Sequence, residues 1–182
     1  CFCFSVQLFG QTYHPSWESL DKRPTPQWFN DSKFGIFIHW GVYAVPGWSS
    51  KGNYAEWYQQ GLQTTDTARM KFHAAKFGNR SYYDLANDFK AELFNPDEWA
   101  RLFEKSGAKY IVPTAEHHDG FALYDSKLTK WDAMDMGPKR DLIGDLAKSV
   151  RKVGLKFGVS NHRMEHWSFM YPKNPNIKTD LF

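Results

Sequence analysis

Three short apolar runs along this chain each break off into polar residues, and helix-period patterns fill much of the chain between them. Phe34 to Ile38 runs into His39-Trp40-Gly41. Tyr110-Ile111-Val112-Pro113-Thr114-Ala115 runs into Glu116-His117-His118-Asp119-Gly120-Phe121, and Leu155 to Ser160 runs into Asn161-His162. Short apolar runs bounded by turn residues read as buried strands. Before the second run, Asn95-Pro96-Asp97-Glu98 offers a cap, a first-turn proline and acidic residues. Trp99, Leu102 and Phe103 then form an apolar stripe that Gly107 ends. Before the third, Leu142, Leu146, Val150 and Val153 recur at helical spacing up to Gly154. Strand, helix, strand, helix, strand predicts an α/β fold with parallel strands and right-handed crossovers, whose ligands gather beyond the carboxyl ends of the strands. The histidine-bearing exits fall on that rim.

The first crossover carries an insertion from Val42 to Phe94, far longer than an ordinary connection and dense in Tyr, Trp and Gln. Helices are predicted within it: one starting in Tyr54-Ala55-Glu56-Trp57-Tyr58, one over Met70 to Phe77 and one over Tyr82 to Phe89. Insertions of this length commonly serve function.

Composition narrows the partners. Lys and Arg number 23 against 20 Asp and Glu, interspersed, so no basic stripe tracks a phosphate backbone and nucleic acid is not an expected partner. No stretch is apolar for long enough to predict a membrane span. Tryptophan is abundant, with 8 residues, which suits both core packing and stacking on the apolar face of a sugar. The chain starts at Cys1-Phe2-Cys3-Phe4 and reaches Gly10-Gln11 through apolar residues, similar to the core and exit of a secretory leader. Residues 1–11 are therefore expected to be a leader remnant, and export (secreted, periplasmic or lysosomal) follows from it. Cys1 and Cys3 are the only cysteines and stand too close in sequence for an unstrained disulfide. Asn30-Asp31-Ser32 and Asn79-Arg80-Ser81 fit the glycosylation sequon.

Three patterns bear on chemistry. His39, Glu56, Trp57, His117 and His118 sit at strand exits or in the insertion, where they can line one pocket. Each can also be a capped or core side chain, and a histidine pair can ligate metal. Neutral donors and acceptors with a carboxylate and an aromatic face suit sugar hydroxyls better than a metal. His162-Arg163-Met164-Glu165-His166 fits the H-x-x-E-H pattern of inverted zinc peptidases, but it follows a strand directly instead of lying within a long helix. The chain has no G-x-G-x-x-G after a strand, no P-loop and no G-x-S-x-G elbow, which removes support for dinucleotide, nucleoside triphosphate and serine-hydrolase chemistry.

Taken in order, Trp28-Phe29, Lys33-Phe34-Gly35-Ile36-Phe37-Ile38-His39-Trp40-Gly41, Val45-Pro46-Gly47-Trp48, Tyr54-Ala55-Glu56-Trp57-Tyr58, His117-His118-Asp119-Gly120-Phe121 and Lys139-Arg140-Asp141-Leu142-Ile143-Gly144-Asp145-Leu146 resemble the amino-terminal part of the alpha-L-fucosidases of glycoside hydrolase family 29. The resemblance covers about Tyr13 to Ser160. It implies a (β/α)8 TIM-like barrel of which this chain holds the first three or so βα units. The implied activity is a retaining exoglycosidase that releases terminal L-fucose from fucosylated oligosaccharides or glycoconjugates, with no cofactor. In such enzymes two carboxyl groups about 5 to 5.5 Å apart act as nucleophile and acid/base through a covalent glycosyl-enzyme. By motif position His39, Glu56, Trp57, His117 and His118 hold the fucose hydroxyls, and Tyr54 lines the same pocket.

The resemblance has two local departures. The third strand exits as Val159-Ser160-Asn161-His162 where paired aromatics are common, and Glu116 stands where lysine is frequent. A whole barrel takes about 250 residues, so residues 12–182 are expected to be the amino-terminal portion of a longer catalytic domain, inactive alone, whose nucleophile and acid/base lie beyond Phe182. The alternatives are a non-catalytic sugar-binding module and, more remotely, a zinc peptidase built on His162, Glu165 and His166.

Overall fold

The computed structural model describes residues 13–163. The leader reading and both cysteines lie outside them, as do Glu165 and His166 of the peptidase pattern. The chain divides into two compact units, Cys1–Lys33 and Phe34–Phe182. Within the described part of the first, Ser16 caps a one-turn helix, α1 (Trp17–Leu20), and α2 spans Gln27–Asp31.

The second unit is built around a parallel sheet. β1 (Gly35–Ile38) pairs with β2 (Tyr110–Glu116) from Gly35 opposite Tyr110 to Ile38 opposite Pro113. β2 is central. On its other side it pairs first with β3 (Lys156–Phe157) and then, after a register shift, with β4 (Ser160–Asn161). The single strand expected from Leu155 to Ser160 is thus two short pairings. Gly158 remains tied to the ladder, its amide donating to the Ile111 carbonyl at 3.0 Å. The irregularity falls between Thr114 and Glu116, where an irregular step re-aims the side chains that follow.

The expected helices form, with shifted limits. In the insertion they are α3 (Tyr58–Gln63), α4 (Thr67–Phe77) and α5 (Tyr82–Leu85), with 3-10 turns at Val42–Ala44, Ala55–Trp57 and Ala86–Asp88. α5 is shorter than the predicted segment because a capping box between Ser81 and Asp84 opens it and a tighter turn follows at once. α6 (Pro96–Lys105) begins under the Asn95 cap, and α7 (Leu142–Lys152) under the Asp141 cap. Leu102 does not belong to the buried stripe of α6. It is 64% exposed, whereas Trp99 and Phe103 pack against the core.

The core is aromatic as well as aliphatic. Trp131, Tyr58, Phe121, Leu85, Ile111 and Leu142 are its largest fully buried side chains. Trp40 packs edge-on or tilted against Phe89, Phe94 and Trp99, at ring separations of 5.1–5.4 Å. Four tryptophans, Trp40, Trp48, Trp99 and Trp131, therefore serve packing, as the commoner use of that residue has it.

Candidate functional site

Consecutive side chains leave an extended strand on opposite sides, so anchoring Trp40 in the core turns His39 the other way. His39 there meets the ring of His117 at 5.5 Å. β2 delivers its residues by a different route. The strand ends at Glu116, and the Gly120 amide donates back to the His117 carbonyl at 2.9 Å, closing a turn in which Gly120 takes a φ of 72°. Out of strand geometry, His117 and His118 converge, with rings 4.6 Å apart and edge to face. Both are buried.

The turn is pinned from beneath by Asp119, which is 2% exposed. Its carboxylate accepts from the Tyr82 hydroxyl at 2.6 Å and from the Phe121 amide at 3.1 Å, and its carbonyl accepts from the Trp131 indole at 2.9 Å. Burial nonetheless lifts its carboxyl to about 6, against the lowering effect of those donors. Burial acts on His117 in the opposite sense and, aided by the neighbouring imidazoles of His118, His162 and His39, holds it down at about 3. A neutral imidazole carries one donor and one acceptor, the pair that a sugar hydroxyl needs.

The insertion contributes an aromatic face. Trp57 meets His118 edge to face at 5.3 Å, and Tyr43 meets His117 at 5.3 Å. Burial raises the Tyr43 hydroxyl far above its ordinary range, and the negative charges of Asp119 and Glu56 push it further. Glu56 is half-buried and joins the group through that field on Tyr43. Tyr54 stands apart: it is 67% exposed, and with Trp57 and Gln60 it borders a cleft of about 420 Å3.

What holds the Tyr54 to Trp57 segment is a residue the sequence reading missed. Arg69 on α4 is 2% exposed, and its guanidinium donates to the main-chain carbonyls of Trp57 and, at 3.1 Å, of Tyr54. Asp66, the cap of α4, balances its charge at 3.3 Å. A buried arginine leaves no trace in hydrophobic periodicity, because its apparent surface character is cancelled only by partners distant in sequence.

The Glu116 departure is also resolved. Arg163 faces its carboxylate at 3.4 Å and the Tyr124 hydroxyl donates to it at 3.2 Å, while the His162 amide donates to the Glu116 carbonyl at 2.9 Å. Burial raises the Glu116 carboxyl, and Arg163 opposes that. The local charge reversal is thus answered by a cation from the next strand exit. The same contacts draw His162 to the cluster, with ring separations of 4.8 Å from His117, 4.9 Å from His118 and 5.7 Å from His39. Of the H-x-x-E-H pattern only His162 can be placed, and its company is these imidazoles.

A family model described as alpha-L-fucosidase matches residues 4–181. The tissue alpha-L-fucosidase of Rattus norvegicus is 42% identical over 174 residues, and the alpha-L-fucosidase of Dictyostelium discoideum is 41% identical over 167. These alignments cover 93% and 89% of this chain but 37% and 36% of the relatives, so the chain spans well under half of their length. The crystal structure of Thermotoga maritima alpha-fucosidase in complex with fucose superposes with a TM-score of 0.78 at 48% identity, covering 82% of this chain and 37% of that one. On sequence and on structure, this chain belongs to the alpha-L-fucosidase family.

Proposed function

We propose that this chain supplies the sugar-holding, amino-terminal part of a retaining exo-alpha-L-fucosidase built on a (β/α)8 barrel. His39, His117 and His118 take the hydroxyls of a terminal fucose, Trp57 covers its apolar face, and Glu56 accepts from a hydroxyl. Tyr54 contributes from the outer edge. The observation that carries this reading is the convergence of imidazoles from successive parallel strand exits, with two rings of the insertion beside them, Trp57 against His118 and Tyr43 against His117. Phosphate recognition would call for a fixed positive charge there, whereas a cluster dominated by a neutral, buried imidazole favours hydroxyls.

The division of labour follows from charge. A retaining mechanism requires one carboxyl that attacks the anomeric carbon and another that protonates the leaving oxygen. Glu116 and Asp119 are both buried, Glu116 engaged by Arg163 and Tyr124 and Asp119 by Tyr82 and Phe121, so neither is poised for that work. The family resemblance, and not the state of these two carboxyls, is what assigns the nucleophile and acid/base outside residues 1–182. Binding energy from the fucose hydroxyls, exerted here, lowers the barrier wherever contacts tighten as the ring flattens toward the oxocarbenium-like transition state.

Calorimetric titration with L-fucose tests the reading. Saturable binding that D-galactose reproduces poorly supports it, together with hydrolysis of an aryl alpha-L-fucoside only by a protein that also carries the missing carboxyl pair. Turnover by residues 1–182 alone would overturn the assignment of the catalytic groups. Absence of any fucose binding and turnover in the longer protein would overturn the site.

A further inference from the structure

His39 follows β1, His117 follows β2 and His162 follows β4, and each offers one ring nitrogen to a set whose members all lie within 4.8 Å of one another. Among the described residues this is the one group of three or more His, Cys, Asp or Glu side chains so arranged. Zinc holds imidazole nitrogen at about 2.0–2.1 Å, which sets three nitrogens about 3.3 Å apart in a tetrahedral site. The set must draw in by roughly 1.5 Å to meet that spacing. His117 is buried, but His39 is exposed and His162 half-buried, so two of the three rings have room to turn.

The surroundings of His162 favour such a turn. Its Nε2 lies 2.9 Å from the Ser160 hydroxyl, the kind of outer partner that orients a metal-binding imidazole. Its Nδ1 is 3.4 Å from His118 Nε2, a long contact that a cation can replace. Imidazole donors suit zinc and copper, whereas calcium and magnesium require oxygen. Three ligands leave a fourth position for water.

We propose that His39, His117 and His162 form a binding site for a borderline divalent cation of the zinc or copper class, and that the bound cation closes the pocket to sugar. The cation is an inhibitor of the site and not its cofactor. The metal site rests on the geometry alone, and only its closing effect rests on the fucoside reading.

Co2+ titrated into the protein and followed by its visible absorption provides the test. One Co2+ per chain is expected, displaced by Zn2+ and not by Mg2+. Affinity should fall at least about tenfold in His39→Ala and in His162→Gln and stay unchanged in His14→Ala, which lies on an exposed position of the amino-terminal unit. Both ligand variants are at accessible positions, and circular dichroism confirms that they fold. L-Fucose should shift the Co2+ titration to higher concentration. No stoichiometric Co2+ binding, or wild-type binding in both variants, would overturn the cation site. If such a protein still binds fucose calorimetrically, the sugar reading stands without the metal. If Co2+ binds through these residues and fucose does not compete, the inhibitory half is overturned and the pocket assignment falls with it.

Discussion

The Tyr82 hydroxyl donates to the Asp119 carboxylate at 2.6 Å, joining the insertion to the turn that presents His117 and His118. Both partners are buried, at 4% and 2% exposure. A donor lost from a buried carboxylate leaves the acceptor desolvated and unpaired, which costs about 1–3 kcal/mol. Tyr82→Phe should lower unfolding free energy by that amount in chemical denaturation. Because the turn loosens, fucose affinity should fall as well. A variant as stable as the parent would mean that the bond contributes nothing net.

Arg69 should prove as important to the site as residues that touch sugar. Arg69→Met removes both donors to the carbonyls of Trp57 and Tyr54 and leaves Asp66 without its partner. A loss of about 2–3 kcal/mol in stability is expected, as for a broken buried network. Gly61→Ala is the gentler probe, because a Cβ there would sit 2.7 Å from Arg69 Cδ and push the side chain aside. It should weaken fucose binding more than it lowers thermal stability. Equal effects on both would argue that the arginine only fills space.

Among the pocket residues, His39→Ala, Glu56→Ala and His118→Ala should each reduce kcat/KM on an aryl alpha-L-fucoside in a protein that carries the catalytic carboxyls. Truncating a partner of a desolvated hydroxyl costs about 1–3 kcal/mol, equivalent to roughly five- to 150-fold. Trp57→Ala should act through lost contact with the sugar face. Lys148→Ala is the control: its side chain is 82% exposed and its nearest acidic partner, Asp145, is 3.9 Å away, so it should be near neutral. Wild-type kinetics in all three pocket variants, with folding intact, would remove the pocket assignment.

Chelators should leave turnover of such a protein intact, or raise it where adventitious zinc is present. Loss of activity with EDTA, restored by zinc and abolished by His162→Ala, would show instead that a metal is needed for the reaction.

Much of the framework was legible in the sequence because its causes are local. Apolar runs ending in polar residues marked the strands, and Asn95 with Pro96 marked the start of α6 through a cap that acts within one turn. The limits of the third strand were not legible. Its division into β3 and β4 arises from register with β2, and register is a property of two strands together. Leu102 was read as core because its spacing allows it, but α6 buries only part of the face that the pattern predicts.

The candidate site divides in the same way. The placement of His39, His117 and His118 at strand exits follows from sequence, since a parallel strand must release its polar residues at the carboxyl end. The sequence could not show that Arg69 holds Trp57, that Arg163 answers Glu116, or that His162 completes a set of imidazoles with His39 and His117. Arg69 and Trp57 are separated by 12 residues, and Arg163 and Glu116 by 47; the three histidines come from three different strand exits, and only the folded backbone brings these groups together. Hydrophobic pattern determines which elements form. The pairing of buried charges is decided by tertiary structure, because its energy exists only once both partners have left water.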